Sequence, residues 1–170
     1  MVIERCLSSV DGFVDCYAVV DTGSTDGTQE LVRRNWCGVT RYPWVDFATN
    51  RNEALDLARR TGSDYALIID ADDVFNFDGA MLPELTAPGY YVEYIYGDTR
   101  YQRIALVNLK EEWHWEGVIH EVLVSPKLSE CVKLEGATIT VGMDGARSSQ
   151  DSVAKYTADA ELLRVALEKD

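Results

Sequence analysis

Cysteine is sparse in this chain and unpatterned. Cys6, Cys16, Cys37 and Cys131 are scattered with no C-x-x-C pair, so nothing indicates a disulfide framework, and a reduced, cytoplasmic chain is the simplest reading. Positive charge is also short: 16 Lys+Arg stand against 29 Asp+Glu, a formal charge of −13. That balance argues against nucleic-acid or membrane-surface binding, which needs a basic face. No apolar run reaches the ~18 residues of a spanning helix. The first ten residues, MVIERCLSSV, carry Glu4 and Arg5 inside their apolar stretch and so do not read as a signal peptide. Internal repeats and low-complexity tracts are missing too. What remains is 170 residues with 46% hydrophobic and 26% charged, the composition of an ordinary globular domain. A chain of this size buries roughly 70% of its unfolded surface and needs no staple.

The first half alternates strand and helix signals. Asp15–Asp21 (DCYAVVD) is a short apolar run ending on a carboxylate. Asp26, with Gln29 three residues later, reads as an N-cap and predicts a helix from about Gly27 to Asn35. Val39–Tyr42 is a brief strand ended by Pro43, and Asp46 or Thr49 caps a second helix that stops at Gly62. Tyr65–Asp70 (YALIID) is continuously apolar, as a central strand buried on both faces would be. Further on, Tyr90–Tyr96, Arg103–Leu109, His120–Val124 and Val132–Val141 are strand-like with no long helix between them. Asp144–Asp151 is turn-rich and reads as a linker. Beyond it Val153, Tyr156, Ala160, Leu163 and Leu167 fall on one helical stripe, packing on the body or on something further along. The sum is an α/β domain, parallel at first and mixed later.

Two strands end on acid. Asp21 closes the first, and Asp70-Ala71-Asp72-Asp73 follows the second, at what is expected to be one edge of the sheet. Ligands of open α/β sheets bind outside the carboxyl ends of strands. Clustered carboxylates repel unless something positive lies between them, and Mg²⁺ or Mn²⁺ meets that need with one or two carboxylates plus phosphate oxygens. The plainer alternative is a solvated acidic turn. The loop Thr22-Gly23-Ser24-Thr25-Asp26-Gly27-Thr28 is small and hydroxyl-rich before a helix, which lets a ligand approach the backbone. It is neither a P-loop nor the G-x-G-x-x-G fingerprint, and alone it is no more than a well-capped turn.

Taken in order, DTGSTDGT, FATNRNEAL, LIIDADD and WEGVIHE resemble a family 2 glycosyltransferase of the GT-A fold, over about Val2 to Arg147. The resemblance implies a Rossmann-like mixed sheet flanked by helices over residues 1–143, with 144–170 forming a linker and C-terminal helix. It implies a nucleotide-sugar donor, usually UDP-linked, and an acceptor (glycan, lipid-linked or protein) left open. Asp21 would hold the nucleobase, with Ser24 and Asp26 in the same donor loop. Arg51 would lie near the nucleotide and its phosphates, Asp70 near the ribose or sugar, and Asp72 on the metal. The alternative for Arg51 is a surface helix residue paired with Asp56 or Glu53. His120, in the stretch matching G-x-x-H-E, would complete the metal shell or bond the diphosphate, whereas His114, between two tryptophans, is expected to pack. Inverting transfer needs a base for the acceptor hydroxyl, and Glu116 or Glu121 is the candidate, with a slight lean to Glu116 and Asp98 a distant third. Trp113 and Trp115 suit either a sugar face or the core.

One departure from the family pattern stands out. Members begin with a further strand ending in Asn-Glu, whereas Met1–Leu7 here looks like the helix that follows it, so the usual first strand is expected to be missing. Two other readings compete with an active transferase. LIIDADDVF fits the D-x-D-x-[TV] signature of haloacid dehalogenase-like phosphatases, with Asp70 as nucleophile, although that motif usually opens the chain. A truncated, non-catalytic binding domain is the other.

Overall fold

The computed structural model describes residues 1–36, 39–143, 156–157 and 160–164. The chain opens on helix α1 (Val2–Val10), whose buried residues Ile3, Cys6, Leu7 and Val10 fall at the i, i+3, i+4, i+7 spacing of one helical stripe. Strand β1 (Val19–Asp21), helix α2 (Thr28–Asn35), strand β2 (Val39–Arg41) and helix α3 (Phe47–Arg59) follow. The rest is strand: β3 (Tyr65–Leu67), β4 (Val74–Phe77), β5 (Gly89–Tyr96), β6 (Thr99–Asn108), β7 (His114–Glu116), β8 (Val122–Val124) and β9 (Val132–Thr140).

These strands form three sheets. β1 and β2 pair in parallel, β7 and β8 pair antiparallel, and a mixed five-stranded sheet runs β3-β6-β5-β9-β4. The parallel start expected of the first half therefore holds for β1 and β2 alone, because β3 runs antiparallel to β6. Nor is β3 central; it is an edge strand of three half-buried residues. Its apolar run has a different origin. Tyr65, Leu67 and Ile69 pack into the main core, while Ala66 and Ile68 pack against Leu55, Val107 and Trp113. Both faces are covered even though one edge is open, which is why every residue of the run is apolar.

Helix α1 ties the β1–β2 pair to the five-stranded sheet. Ile3 and Leu7 meet Val32, Val19 and Val39 on the β1–β2 side, and Val10 enters the core of Phe75, Val92, Leu134 and Ile139 under the five-stranded sheet. Each such side chain contributes roughly 1.5–3 kcal/mol by leaving water.

Local signals were met unevenly. Asp46 does cap α3, its Oδ1 accepting from the Thr49 N–H at 2.7 Å. Gly27, in the left-handed region at φ 88°, occupies the cap position of α2 in place of Asp26. Asp26 acts one step earlier, accepting from the Thr28 N–H and hydroxyl, and Gln29 turns to Asp21 and closes no capping box. Strand β8 begins at Val122 and not His120, since Gly117 and His120 both take positive φ (96° and 55°) and spend those residues on a turn. Strands β4 and β7, too short for a periodicity to register, pair with β9 and β8. The expected linker Asp144–Asp151 lies outside the described residues, as do Val153 and Leu167. Residues 156–157 and 160–164 are helical, with Tyr156 and Leu163 exposed.

Candidate functional site

The acidic turn after β3 is braced through its backbone. The Asp73 N–H returns to the Asp70 carbonyl at 3.0 Å, the Cys6 thiol donates to the same carbonyl at 3.3 Å, and Arg5 Nη2 reaches the Asp72 carbonyl at 2.9 Å. From the other side, the Gly142 N–H donates to Asp73 Oδ1 at 3.0 Å. Gly142 is packed so closely on the Asp72 backbone that a Cβ there would overlap the Asp72 carbonyl. Burial pushes Asp73 up to about 6, with Asp70 and Asp72 adding to the rise against the Gly142 bond. Burial, reinforced by Asp73, Asp70 and Asp72, likewise pushes the Cys6 thiol up to about 12.

Asp70 has a partner of its own. Helix α3 presents Arg51, whose Nη1 and Nη2 donate to the two Asp70 oxygens at 2.6 and 3.0 Å, while Nε donates to Glu121 Oε1 at 2.8 Å. The guanidinium also lies over the Trp115 ring, 5.0 Å from its centroid. Burial opposes the charge on both members of the Arg51–Asp70 pair. Pairing wins, holding Asp70 below the usual carboxylate range and Arg51 above its ordinary value. The surface pairing of Arg51 with Asp56 or Glu53 is not realised: Asp56 takes Arg59, and Glu53 accepts from Asn50.

Asp21, 4% exposed at the end of β1, collects donors. Its Oδ1 accepts from the Gly23 N–H, the Ser24 N–H and Gln29 Nε2 at 3.0, 3.1 and 2.8 Å. Burial raises its pKa, but these bonds and the Ser24 side chain outweigh it and hold the group below the usual range. Met1, at the head of α1, touches Gly27 and Thr28, and Arg5 and Cys6 of the same helix touch the acidic turn. Five helical residues rise only about 7 Å. That short segment thus links the start of α2 to the acidic turn.

The remaining candidates are spread more widely. Glu121 is drawn to Arg51 and is 11% exposed, while Glu116 is 60% exposed and paired at 2.8 Å with His114 Nε2. Alternation along β7 explains the difference, because Trp115 faces inward to Arg51 and its neighbours His114 and Glu116 face the other way. His114 is accordingly exposed and does not pack. Trp113 and Trp115 are buried anchors: Asn52 bonds both backbone groups of Trp115, and Arg59 bonds the Trp113 carbonyl. His120 is exposed on its left-handed turn, and among the described residues no three His, Cys, Asp or Glu side chains gather around one point. The Asp72 carboxylate, half-buried, accepts no hydrogen bond among the described residues. Arg103 on β6 is the residue that the sequence reading missed. Its signal, the second of two bases in RYQRIALVN, is weak without knowing which strand lies beside it.

A mixed α/β domain whose strand ends gather acid beside a pinned arginine is the class of protein that the fold and site define. Residues 2–120 match the profile described as Glycosyl transferase family 2. The chain belongs to glycosyl transferase family 2. The matched family is one of transferases, not of phosphatases. A TPR repeat-containing protein of Synechococcus elongatus is 39% identical over 72 residues, a stretch that covers 42% of this chain and 17% of that relative. Among the described residues no helix is long and apolar enough to cross a membrane.

Proposed function

We propose that this domain transfers a sugar, with inversion, from a nucleotide diphosphate donor (a UDP-sugar by family habit) to an acceptor hydroxyl. The supporting observation is the Arg51 bridge, which joins Asp70 at the donor edge to Glu121 on the β7–β8 turn. In this reading the Asp21 loop takes the nucleobase, with Ser24 and Asp26 shaping it, and Asp70 fixes the ribose or sugar. Asp72 carries the divalent ion, Mn²⁺ or Mg²⁺. A half-buried carboxylate that accepts no hydrogen bond among the described residues, beside two acids already committed to Arg51 and Gly142, suits a site that leaves most positions to water and diphosphate oxygens. When bound, the ion neutralises charge on the departing diphosphate. His120 is close enough in sequence to Glu121 to reach the same ligand from the turn.

Of the two glutamates, Glu121 is the better base, because it sits on the arginine side of β7 and is shielded from water, whereas Glu116 faces outward with His114. Arg51 orients that carboxylate, and a base of this kind contributes ~10²–10⁴-fold to rate.

Calorimetric titration with UDP, GDP and dTDP, with and without Mn²⁺, tests the reading. The expected result is saturable, Mn²⁺-dependent heat for at least one diphosphate, lost in Asp72→Ala while the melting temperature holds. Glu121→Gln is expected to bind donor normally and turn over at least a hundredfold more slowly, with Glu116→Gln near the parent rate. No binding by the parent protein, or wild-type affinity in Asp72→Ala, rejects the donor site as drawn.

A further inference from the structure

Arg51 has few donors left to give. Three of its N–H directions are spent on Asp70 and Glu121, and its face is spent on Trp115. An incoming diphosphate would have to break that bridge to use it. A second arginine sits alongside. In the antiparallel register of β3 and β6, Leu67 is opposite Leu106, and the Ile68 N–H reaches the Ala105 carbonyl at 2.6 Å. Extended two residues further, the same register brings Asp70 level with Arg103.

Arg103 is half-buried and lies over the ring of Tyr94, 5.3 Å from its centroid. Tyr94 is itself stacked on Tyr101 at 5.6 Å. Among the described residues no carboxylate or carbonyl accepts a hydrogen bond from the Arg103 guanidinium, and no acid lies within ion-pair distance of it. A planar fork seated over an aromatic ring, with its donors unspent among the described residues, suits bidentate recognition of an oxyanion. Its charge is also felt by Asp70 and Asp73, which it helps keep ionised. In a chain at −13, a cation that is both placed and uncommitted at the acidic turn has few competitors for an anion.

We propose that Arg103, and not Arg51, is the protein's contact to the diphosphate of the nucleotide donor, with Tyr94 as the platform that fixes its plane. The assignment rests on the donor reading above. Arg51 becomes a positioning residue that acts through Asp70 and Glu121. The pairing predicts a division between the two arginines that binding can read: Arg103 distinguishes a nucleoside diphosphate from its nucleoside, and Arg51 does not.

The test compares Arg103→Met and Arg103→Lys with the parent protein. Each is titrated with UDP and with uridine in Mn²⁺-containing buffer, alongside thermal melts. A charge-assisted bond of ~1.5–3 kcal/mol corresponds to roughly a 10–100-fold loss of UDP affinity in Arg103→Met. Uridine affinity is expected to be unchanged. Arg103→Lys, which keeps the charge and loses the fork, is expected to fall between the two and to melt with the parent. A merely structural role would weaken UDP and uridine together, and that outcome overturns the assignment. Equal UDP affinity in the parent and Arg103→Met overturns it while leaving the donor reading intact. A parent protein that binds no nucleotide removes both.

Discussion

Replacing Arg51 with methionine probes the bridge directly. Methionine keeps an unbranched apolar stem against Trp115 and removes every donor. The Glu121 arm is well shielded, with side-chain exposures of 20% and 11%, so stranding that carboxylate costs about 2 kcal/mol, below the usual range for a fully buried pair. The Asp70 arm is discounted further, because its carboxylate side is 41% exposed, and about 1 kcal/mol is appropriate there. The expected loss is therefore about 3 kcal/mol at pH 7, which for a chain of this size lowers the melting temperature by roughly 6–12 °C. Acid supplies the control. Asp70 is held below its unfolded value of about 3.9, so its share of the stability is present above that pH and is lost as pH falls through the folded value. Urea denaturation at pH 7 and pH 3 is expected to show a wide gap between the two proteins at the higher pH and a narrower one at the lower. A gap under about 0.5 kcal/mol at pH 7, or one that persists undiminished in acid, refutes the account of Arg51 as a charge bridge.

Two further perturbations read the braces of the acidic turn. Gly142→Ala places a methyl group against the Asp72 carbonyl and is expected to cost about 1–3 kcal/mol in chemical denaturation; an unchanged midpoint would show that the segment after β9 does not clamp the turn. Under native conditions at pH 8, iodoacetamide is expected to label exposed Cys16 readily and leave Cys6, whose thiol is pushed up to about 12, unmodified until the protein unfolds, as peptide mass spectrometry will show.

Sequence patterning revealed most of the regular structure, and the reason is physical. The Asp46 cap of α3 and the aromatic and β-branched residues of β5 and β9 are properties of one segment at a time. What stayed hidden was pairing between segments. Arg51 reads locally as a partner for Asp56 or Glu53, yet its acceptors lie 19 and 70 positions away, where only the fold brings them. The same holds for Glu116 and Glu121, whose different surroundings follow from the strand alternation of β7 and a turn built on Gly117 and His120. Edge or centre is likewise undecidable from YALIID, since packing on both faces demands apolar residues in either place. Arg103 passed unnoticed because its meaning depends on the neighbour that β3 provides.

The turn from Asp70 to Asp73 is held by Arg5, Cys6 and the Asp73 N–H on its carbonyls, and by the Gly142 N–H on the Asp73 carboxylate. At Asp72, shape and chemistry are therefore carried by different atoms, the carbonyl and the carboxylate. Because the scaffold does not use the Asp72 side chain, exchanging that residue changes what the turn can hold without changing where the turn is. A position so insulated can be altered by drift or by design at little risk to folding, and on the proposed reading it is the place where ion preference would be retuned.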